Sequence, residues 1–577
     1  MKYFSKKSGQ KITKRLNKFS RQAKKEGVAH LRKNFINRIS HIKTVRLLIL
    51  EWSLLVISII MLATTQAFLY TESYAADSFV KGGAFTEATL GEVHSLNPLF
   101  AVTESEQTLA KLLFAHLTAT DYSGHTGFDL AESISSDQTG KIWTVKLRPN
   151  LKWSDGQPLT NQDVIFTVET IQNPKINTPL AANLTGVSLE EKDGKLIFKL
   201  PAAYVNFPSS LNIPILPAHV LAKVSPDALL DHKFSSTPIS SGPFSFNAVQ
   251  NVSVEGEKIV YLTANPYYYK GRTLLDSMAV HAFTDKKSVA AALRSGSATA
   301  TASLAPSDGE EVRSASIYEK QTTLNNGVFA FFNTQGKIFN NLGLRKAVQQ
   351  GLDLRSLRAP LNEEPALDYP ILPGQVENVD FPALPKYNPD SAKASILSAK
   401  LPANSTVNLA TVSTGYLPAL ADNLKFQLQN LGFKVEVNIH EPNQEFLVNV
   451  IRPRAYDILL YEVELGSSPD LYSYYHSSQA KELGLNLSNY SNLVVDDLIL
   501  AARSTTNREL RAVKYSSFLK YWLDHAPAIG IYQTNLSYYF HKNVRTFSED
   551  NHLVYPVDRF SDVFRWSAQK DFVNRTP

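Results

Sequence analysis

Residues 130–171 read LAESISSDQTGKIWTVKLRPNLKWSDGQPLTNQDVIFTVETI, and they carry the signals of a strand, a turn and a helix start in close succession. Polar and apolar residues alternate over 141–148, which predicts a half-buried strand. The pair Asp155-Gly156 predicts a turn. Thr160 stands three residues before Asp163, which resembles a capping box with Asp in place of the usual Glu, so a helix is predicted to begin there.

Helices and strands continue to interleave along the rest of the chain, which predicts an α/β fold. Further strands are predicted at 195–200, 258–263, 327–333, 406–412, 433–439 and 457–463. Helices are predicted at 105–117, 287–294, 342–352, 389–399, 416–431, 493–503 and 507–523. The strand–helix–strand order across 406–439 predicts a parallel crossover. The proline-rich residues 360–389 are interpreted as an extended surface loop.

The composition excludes several kinds of site. The chain has 577 residues, of which 44% are hydrophobic and none is cysteine. At about 150 residues per domain, the length predicts roughly three or four domains with a substantial core. Because there is no cysteine, disulfides, thiolate-bound metals, a cysteine nucleophile and a lipidated N-terminal cysteine are excluded for this sequence.

The charge is distributed unevenly around an apolar segment. Residues 1–46 carry fifteen Lys and Arg and one acid, Glu26, whereas the other residues carry 44 basic and 52 acidic side chains. Residues 47–69 follow and read LLILEWSLLVISIIMLATTQAFL. As a helix this segment spans about 34 Å, enough to cross a bilayer core of about 30 Å. It is predicted to be a transmembrane anchor, with the basic tail in the cytoplasm and the body outside.

Other interpretations of this N-terminal region stay open. A cleavable signal peptide would use Ser73 and Ala75 as the small residues at positions −3 and −1, and a soluble protein would bury the apolar helix. The tail is interpreted as setting orientation and attracting anionic lipid, rather than as an arm that binds nucleic acid. Membrane lipid is therefore the partner expected for residues 47–69 and the tail, and no nucleic acid is expected.

Signatures of catalysis are scarce. The sequence contains no GxSxG, HExxH or Walker-type phosphate loop. The histidines, among them His116 and His125, show no ligand spacing, so no catalytic residue, cofactor or metal site is predicted. Adjacent acids such as Glu363-Glu364 are interpreted as solvated surface pairs. Aromatic clusters would either line a ligand groove or pack in the core, and they lie at 267–269, 472–475 and 538–540.

The stretch at 130–171 resembles the signature of the bacterial extracellular solute-binding proteins of family 5, which serve ABC importers of oligopeptides, dipeptides and nickel. Shorter matches follow in the family's order at 95–99, 241–244, 265–276, 292–296, 331–353, 387–397, 456–470 and 526–533. The resemblance covers residues 82–545. Several residues in these matches are interpreted as structural, because a turn, a cap or helix docking accounts for them without a ligand: Trp153, Asp155, Gly156, Thr160 and Arg345.

The resemblance implies an α/β, two-lobed periplasmic-binding-protein-like fold of type II, with three domains after the N-terminal transmembrane helix. By analogy, lobe 1 contains residues 78–104, 231–325 and 531–577 as a discontinuous first domain, with residues 105–230 inserted as a second domain. Lobe 2 contains residues 326–530. The chain is then expected to cross between the lobes near 326 and 530, and the lobes to close over a ligand by hinge motion.

The resemblance also implies the ligand site, because peptide binders of the family hold the ligand backbone as an added strand. The residues expected to face the peptide are Glu92, Val93, His94 and Ser95 from one lobe and Glu462, Val463 and Glu464 from the other. Glu464 is the acid nearest to the place where oligopeptide binders receive the ligand's ammonium group. Arg452 lies one position from where some relatives place an arginine for a carboxylate. For these two residues, a surface ion pair is the alternative.

The function expected from these features is that of a receptor tethered to the cell membrane by a single span. Its binding domain, extracellular or periplasmic, would capture oligopeptides and deliver them to ABC permease subunits without catalysing a reaction. One alternative is a binding protein for a nickel chelate, haem, an oligosaccharide or a glycopeptide. Another is an envelope sensor or structural protein on the same fold.

Overall fold

A computed structural model describes residues 42–574 of the protein and, separately, residues 25 and 29. Within the long range, the residues left undescribed are 122–123, 177, 179, 253, 255, 362–363, 400, 402–404, 483 and 549–551. The predicted basic tail, residues 1–46, therefore lies outside the described residues except at 25, 29 and 42–46. The described residues divide into two compact units, the larger of which is Phe79–Lys570.

A long apolar helix, α1 (Ile42–Tyr74), belongs to the smaller unit. Its residues Leu48–Gln66 have a mean hydropathy of 2.1, and none of this window is buried inside the protein. By length and composition α1 is therefore able to cross a membrane. A signal sequence near an N-terminus has the same properties, and the helix includes Ser73 of the alternative cleavage site.

Helices and strands interleave as predicted. The strands are β1 Ala75–Val80, β2 Ala84–Leu90, β3 Thr118–Thr120, β4 Thr126–Phe128, β5 Ala131–Ser136, β6 Ile142–Leu147, β7 Ser188–Lys192, β8 Lys195–Lys199, β9 Phe244–Asn251, β10 Lys258–Ala264, β11 Ser277–Phe283, β12 Ala300–Thr301, β13 Ile317–Thr323, β14 Asn326–Phe332, β15 Thr406–Val412, β16 Lys434–His440, β17 Ile458–Glu464, β18 Ala528–Tyr532, β19 Asn535–His541 and β20 Gln569–Asn574. The longer helices after α1 are α2 Glu104–Leu113, α3 Asn161–Gln172, α4 Lys286–Ser295, α5 Leu342–Gly351, α6 Pro389–Ser398, α7 Leu417–Leu431, α8 Leu493–Ser504 and α9 Arg508–His525. Short helical turns include Phe207–Ser210, Pro306–Gly309, Leu354–Arg358, Leu447–Ile451, Leu471–Tyr475 and Pro556–Arg565.

The strands of the larger unit form three main sheets. A seven-stranded sheet has the order β13-β19-β12-β2-β11-β10-β9, a five-stranded sheet has the order β16-β15-β17-β14-β18, and a four-stranded sheet has the order β5-β6-β8-β7. A smaller pair joins β3 with β4. Strands β15 and β16, which flank α7, pair in parallel, and this confirms the predicted crossover.

Two main hydrophobic cores divide the larger unit. One core packs on the five-stranded sheet and takes its residues from between Val328 and Tyr532. The other covers the seven- and four-stranded sheets and takes its residues from positions up to Leu324 and from Leu536 onward. We call the parts built around these cores lobe 2 and lobe 1, respectively. The chain passes between the lobes twice, and we call the two passages, 324–327 and 533–535, the crossings.

Within lobe 1, the four-stranded sheet does not have a separate core. Trp143 of β6 and Phe85 of β2 belong to the same cluster of buried residues. The segment predicted as an inserted domain, 105–230, therefore packs continuously against the rest of lobe 1. Lobe 1 is thus one hydrophobic body built on two sheets.

The stretch at 130–171 forms the turn and the helix cap that its sequence predicts. Gly156 has a φ of +86°, which favours glycine, and the carboxylate of Asp155 accepts the N–H of Gln157 at 3.0 Å. The carboxylate of Asp163 accepts the N–H of Thr160 at 2.7 Å at the start of α3. The structural interpretation of these residues is confirmed.

Arg345 has the docking role that the sequence suggests. Its side chain is buried, its Nε donates to the carbonyl of His525 at the end of α9 at 3.0 Å, and its Nη1 donates to the carbonyl of Phe339 at 2.6 Å. A guanidinium at this position supplies donors to carbonyls that a helix end leaves unpaired. Arg345 therefore joins α5 to α9 inside lobe 2.

Candidate functional site

The two crossings run side by side. Strand β13 ends at Thr323 opposite Asn535, the first residue of β19. Strand β14 starts at Asn326 opposite Glu464, the last residue of β17. The predicted segment 462–464 therefore lies at the end of the lobe 2 sheet that adjoins the crossings.

The other predicted segment, Glu92–Ser95, follows β2 at the corresponding end of the lobe 1 sheet. Glu87 of β2 lies level with Ala300 of β12, and Ala300 pairs with Phe540 of the antiparallel β19. Because β2 is therefore antiparallel to β19, the residues that follow Glu87 in β2 approach the first residues of β19. The chain enters β19 from lobe 2 at that end. The register thus places both predicted segments at the ends of their sheets where the lobes are joined.

The backbone of the lobe 1 segment is held by neighbouring groups of its own lobe. Glu106 accepts the N–H groups of His94 and Ser95 at 2.8 and 3.1 Å, and Lys258 donates to the carbonyl of Val93 at 2.6 Å. Val93 and Ser95 are buried, whereas the other two side chains of the segment are exposed. These backbone groups are engaged within the protein, which leaves the side chains of Glu92 and His94 as the exposed part of the segment.

Sequence reasoning missed Glu106 and Lys258. Thr103 and Glu106 form a capping box at the start of α2, and this spacing is visible in the sequence. What the spacing does not show is that the same carboxylate also holds the segment before the helix. Lys258 has no local signal, because its partner lies 165 positions away along the chain.

Strand β17 has an open edge on the half that adjoins the crossings. In the described part of the chain, β17 pairs with β14 along its length but with β15 only at 458–459. Leu465 donates its N–H to the carbonyl of Asn325, so the odd-numbered residues bond to β14 and the even-numbered ones turn the other way. The N–H groups of Glu462 and Glu464 therefore point to the open edge.

Two of the predicted residues in β17 have internal roles. Val463 is buried in the core of lobe 2. Glu462 accepts a hydrogen bond from Asn326 Nδ2 at 3.0 Å and another from the hydroxyl of Thr534. Because Asn326 and Thr534 belong to different crossings, Glu462 ties the crossings to each other.

Glu464 is the predicted acid that stays accessible. Its side chain is exposed to solvent, and its backbone carbonyl accepts the hydroxyl of Tyr474 at 2.9 Å. Surrounding protein, together with the negative charges of Glu462 and Asp558, raises the pKa of its carboxyl group. Asp558 belongs to lobe 1, so both lobes act on Glu464. A ligand cation placed here would favour the ionised carboxylate.

Glu364 is a further acid at the crossings, and the sequence did not reveal it. Its Oε2 accepts the N–H of Asn535 at 2.6 Å. Burial, reinforced by the charge of Glu462, raises the pKa of Glu364 to about 7. The interpretation of Glu363-Glu364 as a solvated pair is wrong for Glu364, because the loop folds this side chain onto the start of β19. Glu363 lies outside the described residues.

Arg503 of α8 makes a contact between the lobes away from the crossings. Its guanidinium carbon lies 4.2 Å from the ring centre of Tyr204 in lobe 1 and 4.6 Å from that of Tyr472 in lobe 2. The hydroxyls of Thr126 in lobe 1 and Ser467 in lobe 2 are 3.0 Å apart. The structure therefore shows the lobes in direct contact.

The aromatic clusters differ in their surroundings. Tyr472 and Tyr474 lie beside the lobe contact and the end of β17, as described above. The buried members that pack in the cores include Tyr475, Tyr538 and Tyr539, whereas Tyr268 and Phe540 also line a cavity of lobe 1. Of the two interpretations that the sequence left open, core packing applies to these buried residues.

Arg452 lies at the other end of β17 from Glu464. It follows the turn Leu447–Ile451, and its N–H donates to the carbonyl of Leu447 at 3.0 Å. A strand rises about 3.3 Å per residue, so the two ends of β17 are about 20 Å apart. The structure does not bring Arg452 and Glu464 together, and a role for Arg452 stays a prediction.

The site at the crossings offers backbone donors, carboxylates and tyrosines. Among the residues that the structure describes, no group of three His, Asp or Glu side chains is placed to hold a metal ion. The open edge of β17 is able to pair with an extended chain. The accessible carboxylate beside it is able to accept a cationic group.

Comparison with known proteins shows which family has this arrangement. The family model of the bacterial extracellular solute-binding proteins, family 5 Middle, matches residues 128–482. The oligopeptide-binding protein AppA of Bacillus subtilis (strain 168) is 25% identical over 481 residues, which cover 79% of this chain and 87% of that protein.

Solved structures share the fold. The structure of Bacillus subtilis AppA in complex with a nonapeptide has a TM-score of 0.69 and 24% identity, and the match covers 85% of this chain and 99% of that one. The ABC transporter substrate-binding protein CtaP of Listeria monocytogenes has a TM-score of 0.74 and 22% identity, covering 85% and 100%. NikZ of Campylobacter jejuni in complex with Ni(L-His) has a TM-score of 0.70 and 21% identity, covering 84% and 99%. The predicted two-lobed α/β fold is confirmed.

Proposed function

The chain belongs to the bacterial extracellular solute-binding proteins of family 5, and we propose that it captures peptides between its lobes and delivers them to an ABC permease. The observation that carries this proposal is the open edge of β17. There the N–H groups of Glu462 and Glu464 face outward beside the crossings. An extended peptide adds to such an edge by main-chain hydrogen bonds, which give affinity for many sequences.

The charges near this edge favour a peptide with a free N-terminus. Glu464 is accessible, and the surrounding protein, reinforced by the charges of Glu462 and Asp558, raises the pKa of its carboxyl group. A ligand ammonium group would relieve this repulsion and form a charge-assisted hydrogen bond. The exposed side chains of Glu92 and His94 would face the peptide from lobe 1. The nonapeptide bound to AppA, which shares the fold, supports a peptide as the ligand.

Delivery requires two forms of the protein that a permease can distinguish. We propose that the crossings act as the hinge between lobe 1, comprising 79–323 and 536–570, and lobe 2, comprising 328–532. Within lobe 1, residues 105–230 would be an insertion that carries the four-stranded sheet and shares the core of the lobe. A ligand that contacts both lobes binds the closed form better, so it shifts the population toward closure. ATP hydrolysis would take place in a separate subunit.

The location of the receptor follows from α1. We propose that α1 is an uncleaved anchor that holds the binding domain outside the cell membrane, with the N-terminus in the cytoplasm. Tethering raises the effective concentration of the receptor at its permease. The basic tail would add attraction to anionic lipid.

A proline substitution tests the open edge directly. Glu464→Pro removes an N–H that faces the open edge, whereas Glu464→Ala removes the same carboxylate and keeps that N–H. We expect Glu464→Pro to bind N-acetylated peptides about tenfold more weakly than Glu464→Ala, because one ligand hydrogen bond is lost. Calorimetry on the full-length protein in detergent measures both affinities. Equal affinities of the two variants would show that the edge does not pair with the ligand.

A nickel chelate is the second candidate, because NikZ shares the fold and holds Ni(L-His). Native mass spectrometry of the full-length protein, released from detergent, reports the ligand that co-purifies with it. A ladder of peptide masses supports the proposed function. If a single nickel-containing species, haem or a sugar co-purified instead, that molecule would replace peptide as the proposed ligand.

A further inference from the structure

Lobe 1 contains a large cavity that is separate from the open edge of β17. Its volume is about 850 Å³, within the range of small-molecule sites, about 300–1,000 Å³. Every residue that lines the cavity belongs to lobe 1. The cavity lies between the strands β3 and β4 on one side and residues 540–565 on the other. Lobe closure therefore does not create this cavity, and a solute in it would not be gripped by both lobes.

Aromatic rings form much of its wall. Six phenylalanines line the cavity: Phe114, Phe128, Phe540, Phe547, Phe560 and Phe564. The Nζ of Lys320 lies 4.7 Å from the ring centre of Phe547, and the guanidinium of Arg565 lies 5.2 Å from that of Phe564. A wall of this kind accepts a flat aromatic group through offset and edge-to-face contacts.

The carboxylates of the wall are engaged within the protein, two by lysines and two by neutral N–H groups. Four carboxylates line the cavity, and each has a donor within hydrogen-bond or ion-pair distance: Asp558 has Lys111 at 3.3 Å, Asp129 has Lys270 at 3.4 Å, Asp562 has the indole of Trp566 at 3.0 Å, and Asp121 has the N–H of His125 at 3.0 Å. Since each of these carboxylates already has a donor within the protein, they do not need a cation from a ligand. The positive charge that a ligand anion would meet must come from basic side chains outside these two ion pairs.

Two arginines supply that charge. Arg545 and Arg565 line the cavity and are also exposed, so their side chains are reached from solvent. Among the described residues, neither guanidinium forms an ion pair. The hydroxyl oxygens of Thr546 and Ser561, which line the same cavity, are buried and have no hydrogen-bond partner in the described part of the protein. Because these two oxygens are buried, a ligand anion would meet the guanidinium groups instead.

We propose that this cavity binds a small aromatic carboxylate. The ring would lie among the phenylalanines, and the carboxylate would meet Arg545 and Arg565 at the entrance. A guanidinium binds a carboxylate through two parallel hydrogen bonds. The residues that line this cavity are not those of the open edge, although the charge of one of them, Asp558, also acts on Glu464.

The probe for this site is 2-naphthoate, with 2-naphthylmethanol as the neutral control of the same ring. Equilibrium dialysis of the full-length protein, with the same detergent on both sides, measures the amount bound per chain. We expect one naphthoate per chain and an affinity for the neutral alcohol about tenfold or more lower, because the charge-assisted hydrogen bonds are missing. Failure of the wild-type protein to bind naphthoate at millimolar concentration would overturn the proposal.

Three variants locate the binding. The double variant Arg545→Gln/Arg565→Gln should lose about tenfold or more in naphthoate affinity and little in alcohol affinity. Ala119→Phe, which fills the cavity from β3, should weaken both ligands. The matched control Arg294→Gln removes an exposed arginine of α4 outside the cavity and should bind as wild type does. Unchanged naphthoate binding by the double variant, in protein with a wild-type thermal midpoint, would place the ligand elsewhere.

Glu464→Gln separates this proposal from the proposed function. It alters the acid beside β17 and should leave naphthoate affinity unchanged, whether or not the protein binds peptides. A loss of naphthoate binding in Glu464→Gln would show that the probe occupies the site at the crossings and would overturn the second site.

Discussion

Glu464 stands at the end of β17, where its side chain meets solvent while acids from both lobes surround it. Its neighbour Glu462 is engaged by Asn326 and Thr534, so the two glutamates of one strand have different tasks. The first is free to meet a ligand, and the second holds the crossings together. This difference arises at the scale of single residues, and substitutions are able to test it.

We predict that Glu464→Gln weakens the binding of peptides with a free N-terminus about ten- to hundredfold, because a charge-assisted hydrogen bond is worth about 1.5–3 kcal/mol. Binding of the same peptides after N-acetylation should change little. Calorimetry measures both affinities. Glu436→Gln, an exposed glutamate of β16, is the matched control. An equal loss for free and acetylated peptides would remove Glu464 from the ammonium role.

Because the pKa of Glu364 is raised in the folded protein, we predict that the free energy of unfolding depends on pH. Its pKa of about 7 in the folded protein exceeds the value of about 4.3 expected in an unfolded chain. The contribution of Glu364 to the free energy of unfolding is therefore fully present below about pH 4.3, and it is lost as the pH rises through about 7. Glu364→Gln keeps an oxygen for Asn535 and removes the charge. The variant should therefore gain about 1–3 kcal/mol over wild type between pH 5 and 8.

Urea unfolding of both proteins at pH 5 and pH 8 measures this gain. Glu311→Gln, an exposed acid of lobe 1, is the control, and its difference from wild type should be the same at the two pH values. If the difference between Glu364→Gln and wild type were also independent of pH, the carboxyl group would not titrate as described.

At the scale of elements, α8 provides the second contact between the lobes. Arg503, near the end of α8, lies between Tyr204 and Tyr472, and its backbone carbonyl accepts the N–H of Val205 at 2.9 Å. Asp470 lies 3.5 Å from the guanidinium. This contact lies away from the crossings, so a motion that separates the two lobes about the crossings would break it.

We predict that Arg503→Ala favours the open form. The cation–π contact with Tyr204, which joins the two lobes and is worth about 0.5–1 kcal/mol, would be lost, so the apparent peptide affinity should fall about two- to fivefold. Small-angle scattering should show a larger mean radius of gyration for the variant. Arg508→Ala, at the start of α9, removes an exposed arginine and is the matched control. A variant with unchanged scattering and affinity would exclude a latch role for Arg503.

At the scale of the whole molecule, binding and anchoring belong to separate parts of the chain. The residues proposed to meet the ligand lie in the larger unit, whereas α1 lies in the smaller one. The substrate is proposed to be recognised by lobe closure, and the anchor only to keep the receptor near its permease. The two tasks should therefore be separable by truncation.

We predict that deletion of residues 1–40 leaves peptide affinity and peptide uptake within about twofold of wild type. The physical reason is that the residues proposed to meet the ligand, at 92–95 and 462–464, lie in the larger unit. Affinity is measured by calorimetry and uptake with labelled peptides in cells. Intact binding with a loss of cellular response would instead favour a sensor that uses the fold for signalling.

The sequence by itself predicted many of the elements and the α/β class, while the two-lobed arrangement followed from the family resemblance. The strand at 142–147, the turn at Gly156 and the capped helix α3 appear where the pattern of 130–171 predicted them. The parallel crossover of β15 and β16 also follows the predicted order. These features depend on side chains within a few positions of one another, so hydrophobic period, turn residues and caps record them locally.

The tertiary structure alone decided which polar groups meet at the crossings. Glu364 looked like a surface acid, yet its partner Asn535 lies 171 positions along the chain. Lys258 holds the backbone of Val93 across 165 positions. The pKa of Glu464 depends on Asp558 in the other lobe. Burial and Coulomb interactions depend on distance in space, and a linear sequence carries no local mark of that distance.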